Sequence, residues 1–291
     1  MSTASVSLDR SIPLGAVSTV FTITLRSLIQ WRRALLLIVL AMVPLVVVFI
    51  FRGISVPRFK SGELLPAFLE VEFITVMLYC SSVVAPITTL LLASGMIRDE
   101  QENQTLTYLL LCPIPRWVIY LSKISAAILI AWLITSIFTG ITLAALWTGS
   151  GLENEHRWVT RWLALLAPTA LLIAANAGLF GLISVLLRPS LIIGVVYIAV
   201  FEIFLANYPF VLRKFTSVHY YQCLVCNWIG EQFQLPNTTN KSAIKWAVAQ
   251  EVLPDSQECI ITLLSIFLVS TLAAMYVFTT REFRMKTPEG N

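Results

Sequence analysis

Six stretches of this chain run for about twenty residues with almost no charge, the length of helix needed to cross a bilayer core about 30 Å thick. They cover residues 34–51, 73–97, 124–152, 162–187, 189–212 and 259–280, and only Glu202 interrupts them. Continuous apolar runs exclude a membrane β-barrel, whose strands alternate apolar and polar residues over about ten positions. The expectation is an all-α, polytopic membrane protein with six transmembrane helices. Composition closes the alternatives: 57% hydrophobic against 12% charged residues in a chain of 291 leaves too little polar surface for a water-soluble protein. The 5 cysteines are too few for a disulfide-stapled scaffold, and a net charge of +4 spread along the chain gives no footprint for nucleic acid. The first run starts at residue 34 and is long enough to stay in the bilayer, so a cleaved signal peptide is not expected.

Six crossings put both termini on one side of the membrane. Placing them in the cytoplasm gives the inner segments 11 of the 20 Lys and Arg residues and the outer segments 9, and the Arg32-Arg33 pair before the first run votes the same way. The chain then divides into a cytoplasmic N-terminus (1–33), a six-helix membrane domain (34–280) and a cytoplasmic tail (281–291). In the first part, Leu14, Val17, Phe21, Leu25 and Leu28 recur at spacings of three and four beside Arg26 and Trp31, which predicts an amphipathic helix on the inner leaflet. The membrane domain carries an inner segment at 98–123 and an outer insertion at 213–258. The insertion is rich in aromatic residues (Phe215, Tyr220, Tyr221, Trp228, Phe233, Trp246) and poor in charge, which suits short helices at or dipping into the interface.

The inner segment reads RDEQENQTLTYLLLCPIPRWVIYLSK. Asn103 or Thr105 can cap a helix whose residues Leu106, Leu109, Leu110 and Pro113 fall at i, i+3, i+4 and i+7, and Pro113 and Pro115 then end it. Glu100 and Glu102 are expected at its N-terminal end, where the helix dipole favours carboxylates, and Arg116 marks its exit. Such a helix is either a handle that passes a push from a soluble partner into the membrane or an interfacial loop that merely reverses the chain.

The residues Glu100-x-Glu102-x-x-Thr105-Leu106, the pair Leu109-Leu110, then Pro113-x-Pro115-Arg116 and Lys123 resemble the signature of type-2 ATP-binding-cassette (ABC) exporter permeases, roughly E-x-E-x-G-T-L, L-L, P-x-S-R and G-K. Gln104, Pro115 and Ser122 depart from that pattern. The N-terminal interfacial helix, six runs, outer insertion and short basic tail agree with the same family. The resemblance implies a non-enzymatic transmembrane subunit working by alternating access in a bacterial or archaeal cytoplasmic membrane. It also implies a separate ATPase subunit, two copies of which hold ATP and Mg, and a second permease chain, identical or related. The ATPase contact would fall on Glu100, Glu102, Thr105, Leu106, Leu109, Leu110, Pro113 and Arg116. No G-x-x-x-x-G-K-[ST] phosphate loop occurs in the chain, as expected if the ATP is bound elsewhere.

Isolated polar residues suggest two further classes of function. Glu202 lies inside an apolar run, so it is protonated, paired or facing a water-filled cavity, unless the helix breaks there and the carboxylate reaches the interface. A proton-coupled secondary transporter would use it. Asn176 and Asn207 are weaker candidates, because an amide can knit two helices together without further role. Cys223 and Cys226 form a C-x-x-C in the insertion, which is a disulfide, two free thiols or the redox pair of a membrane thiol oxidoreductase. A metal site lacks a second such pair and has only His156 and His219 nearby on that side.

Overall fold

The computed structural model describes residues 21–22, 24–25, 31–55, 68–102, 115–148, 158–187, 189–206, 211–229 and 254–280. Among these no strand occurs. The helices are α1 (Trp31–Ser55), α2 (residues 68–102), α3 (Arg116–Trp147), α4 (Trp158–Leu186), α5 (Ser190–Leu205), α6 (Ser217–Ile229) and α7 (Ser256–Thr280), with one 3-10 turn at Val211–Phe215. Helices α1, α2, α3, α4 and α7 are long and apolar enough to cross a membrane. Without water to serve the peptide groups, such runs must close their own hydrogen bonds, and the helix is how a single segment does so.

Helix α4 is the hub, with α2, α3, α6 and α7 packed around it through Leu165, Leu172, Ile173 and Ala177. Small residues on α4 set the spacing. A Cβ added at Gly178 would collide with Ser270 Oγ of α7 and come within 3.1 Å of the Phe267 carbonyl, so only glycine lets those two backbones approach this closely. Outward, α1 and α7 present large apolar side chains, among them Val39, Phe49, Val269 and Tyr276, a surface that suits lipid and not water. Of the amphipathic segment expected before α1, only Phe21, Thr22, Thr24 and Leu25 are described; they are helical, and Leu25 packs on the core.

Two expectations need correction. The run 189–212 does not form one spanning helix: α5 has 16 residues, about 24 Å at 1.5 Å per residue, and its second half, Ile198–Leu205, is a π-helix, which rises less. Residues 207–210 lie outside the described residues, and the next described element is the 3-10 turn at Val211–Phe215. Because Cys259 of α7 packs with Leu171 of α4, and Ser270 meets Gly178 further along, α4 and α7 run parallel. The chain between them must therefore return from one end of the bundle to the other. It does so in two pieces: α5 starts at the end marked by Leu186, and α6 finishes where Asn227 donates to the Pro254 carbonyl beside α7. The second correction follows, because the first part of the expected outer insertion is not interfacial. Val218, Tyr221, Leu224 and Val225 of α6 are fully buried against α4 and α7. Residues 230–253 lie outside the described residues.

Candidate functional site

Polar side chains gather at three levels of the bundle. At the Arg116 end, α2 is described to Glu102 and α3 from Arg116, so Glu100 and Glu102 fall on α2 and the helix expected after them lies outside the described residues. Thr105, Leu106, Leu109, Leu110 and Pro113 lie outside the described residues.

What flanks this connection is tightly held. Lys123 of α3, 1% exposed, donates from Nζ to the Met96 carbonyl of α2 at 3.3 Å. Ser184 of α4 donates to the Ser94 carbonyl at 3.1 Å. Tyr120 packs against Phe278 of α7 with ring centroids 5.9 Å apart, and exposed Arg116 reaches the Thr279 carbonyl at 3.4 Å. Arg116 so offers its cation to the carbonyl end of α7, where a positive charge is favoured. The two ends of the connection are therefore fixed to each other and to α4 and α7.

At mid-depth, the break between α5 and α6 is closed by Glu202. Its side chain is fully buried, and it accepts hydrogen bonds from Ser217 Oγ (2.8 Å), the Val218 N–H (3.1 Å) and the Tyr197 hydroxyl (3.3 Å). Ser217 opens α6, so a carboxylate from α5 caps the N-terminus of the next helix, where free N–H groups and the dipole both favour a negative charge. The side chain turns inward and does not reach an interface. Ser217 Oγ also lies 2.7 Å from Asn176 Oδ1 of α4. One hydroxyl has one proton to give, and a half-turn of the Asn176 amide, equivalent in shape, lets its N–H donate to Ser217 while Ser217 donates to Glu202. The structure thus brings together Glu202 and Asn176 through Ser217, a residue that no sequence pattern singled out. Asn207 lies outside the described residues.

Exchanging Glu202 for Gln keeps the shape but turns one acceptor into a donor facing Ser217, Tyr197 and the Val218 N–H. We expect Glu202→Gln to insert normally and to lose about 1–3 kcal/mol of stability, read as a lower apparent Tm in detergent. The activity of the reconstituted protein is expected to persist. Lost activity at unchanged Tm would give Glu202 a direct part in it instead.

At the Trp158 end, two charges that read in the sequence as mere flanks of apolar runs form a buried pair. Arg161 Nη1 of α4 lies 2.6 Å from Glu72 Oε2 of α2, and both residues are 1% exposed or less. The same oxygen accepts from Trp147 Nε1 of α3 at 2.9 Å, and the guanidinium sits 5.0 Å from the centre of the Trp147 ring. Phe68 lies between Phe51 of α1, met edge-on, and Trp147, met at a tilt, and Arg52 donates to the Ala145 carbonyl at 2.6 Å. Four helices are joined here by groups that would be costly to bury singly.

Cys223 and Cys226 are free thiols in this structure, without the disulfide that their spacing allows. Both lie on α6, and Cys223 Sγ is 3.7 Å from His219 Nε2. Cys223 is buried in an apolar cluster, and Cys226 packs on the main core. Thiol exchange needs the thiolate, which apolar surroundings disfavour. Among the described residues no group of three or more His, Cys, Asp or Glu side chains is placed to hold a metal.

No curated protein sequence matches the chain. Residues 26–206, however, match the family described as ABC-2 family transporter protein. That is 181 of 291 residues, and it takes in α1 to α5 together with the clamped connection between α2 and α3. A helical membrane bundle, five of whose helices are long and apolar enough to span, and a family match over well more than half of the chain lead to one conclusion: this protein belongs to the ABC-2 family of transporter proteins, the membrane permease subunits of ABC transporters.

Proposed function

We propose that the chain is the permease of an ATP-driven exporter, in which a separate ATPase subunit docks on the connection between α2 and α3 and drives alternating access. Two ATPase copies and a second permease chain complete the assembly, and ATP and Mg bind on the ATPase. The α2–α3 connection and both termini face the cytoplasm, and the Trp158 end faces outward. The observation that supports this reading best is the grip on the connection. Lys123 on the Met96 carbonyl, Ser184 on the Ser94 carbonyl and Arg116 on the Thr279 carbonyl tie its two ends to four helices. A displacement of either end passes to α2, α3, α4 and α7 together.

The competing readings have less support. A proton carrier needs a carboxylate with room to exchange protons, whereas three protein donors surround Glu202. A thiol oxidoreductase needs an accessible thiolate.

The test reverses charge beside the dock. Glu100→Lys with Glu102→Lys is expected to cut co-purification of the ATPase about tenfold at physiological salt, with membrane insertion unchanged and the loss altered by ionic strength. Undiminished co-purification, with coupled hydrolysis intact, would remove these two carboxylates from the contact.

A further inference from the structure

Helix α6 and the start of α7 meet at two buried cysteines. Cys223 and Cys259, 1% and 0% exposed, share a small apolar cluster with Leu224, walled by Leu171, Tyr220 and Ile260. The surroundings hold the two segments in register. Asn227 Nδ2 donates to the Pro254 carbonyl at 2.9 Å, and Cys259 Sγ points to the same carbonyl at 3.9 Å. Cys226, one helical turn beyond Cys223, packs instead against the main core. The partner for Cys223 is therefore 36 positions away in the chain and not within its own C-x-x-C.

We propose that Cys223 and Cys259 are joined by a disulfide in the mature protein, stapling α6 to the first turn of α7. Two cysteines buried in one small cluster, on segments that the Asn227–Pro254 hydrogen bond holds side by side, are placed to form an S–S bond of about 2.05 Å. The bond forms by thiol–disulfide exchange. One Cys thiolate attacks a disulfide of an oxidising protein or small molecule and expels one of its thiols. The second Cys thiolate then attacks the mixed disulfide and releases the other. The protein loses two electrons and two protons, and the oxidant's disulfide becomes two thiols. Both cysteines are buried once α6 has docked, so the exchange belongs to maturation, before the cluster closes. The bridge would close a loop containing residues 230–253 and would fix the outward half of the broken crossing to a spanning helix. That the Trp158 end meets an oxidising compartment rests on the outward placement proposed above.

The test uses the full chain in two arms. In the first, cells are quenched with acid, free thiols are blocked with N-ethylmaleimide under denaturing conditions, and peptides are mapped with and without reduction. The second incubates purified, lipid-reconstituted protein with oxidised glutathione before the same mapping. A reducible link between the peptides containing Cys223 and Cys259 in the first arm is the expected result, with Cys226 and Cys80 alkylated. Reduction is then expected to lower the apparent Tm by on the order of 5–10 °C, and the Cys226→Ser variant to keep the link. Free Cys223 and Cys259 in cells but a link after oxidised glutathione would overturn the proposal by compartment, and with it the outward placement of this end. No link in either arm, or a Cys223–Cys226 link, would overturn the pairing and leave the proposed topology standing.

Discussion

Replacing Arg161 with alanine is expected to destabilise the bundle severely, by about 3–5 kcal/mol. The reason lies in what remains. Without the guanidinium, the Glu72 carboxylate stays buried between α2, α3 and α4 with only the Trp147 N–H to serve it, and the contact of the cation with the Trp147 ring is lost as well. A lone carboxylate in that position must either be protonated or pull the helices apart to admit water. The same logic says that removing both charges is far milder. In Glu72→Gln with Arg161→Met, the glutamine oxygen still accepts from Trp147 and the methionine refills the volume, so most of the loss is expected to return. Apparent Tm values for the two single variants and the double variant, set out as a double-mutant cycle, check this. An Arg161→Ala protein within about 0.5 kcal/mol of the parent would show that the pair carries no weight.

Spans were legible in the sequence because hydropathy over about twenty residues measures the very transfer that the bilayer imposes. Their ends were not. Searching for charge-free runs treats a charge as a boundary, and so Glu72, next to the run starting at 73, and Arg161, next to the run starting at 162, read as flanks. Pairing is what allows both inside, and pairing between residues 89 positions apart leaves no local pattern. Lys123 was hidden in the same way, as the last letter of a motif, although it is buried in α3 on the Met96 carbonyl. The broken crossing did have a signal, the proline at 209 inside an otherwise apolar run, which hydropathy alone ignores. Glu202 was found as an anomaly of composition, but its role as the cap of α6 depends on a helix that starts 15 residues later. The partner of Cys223 is concealed for the same reason, since the C-x-x-C spacing draws attention to Cys226.

The second large effect is expected at Leu109 and Leu110. Their spacing with Leu106 predicts an apolar face too short to span a bilayer and too hydrophobic to be left bare in the cytoplasm, and they fall outside the described residues in a connection whose ends are fixed to four helices. If this face fills a groove on the ATPase, Leu109→Asp with Leu110→Asp places two charges in the desolvated centre of the contact. Each is expected to cost at least about 2 kcal/mol, so affinity falls about a hundredfold or more. The spans lie elsewhere and are expected to insert as before. Co-expression with the ATPase, a check of insertion, and measurement of complex formation and substrate-stimulated hydrolysis separate docking from folding. Normal assembly and coupling in the double variant would place the dock on another surface.

The central claim is that this chain works as the membrane half of a transporter whose ATPase is a separate polypeptide. Its most direct measurement is the native mass of the complex extracted from membranes in mild detergent, with every component identified by peptide sequence. The predicted result is a particle containing two permease chains and two copies of an ATPase carrying a phosphate-binding loop, with ATP hydrolysis recovered in the same fraction. A particle made of the permease alone, stable in lipid and transporting without ATP, would contradict it.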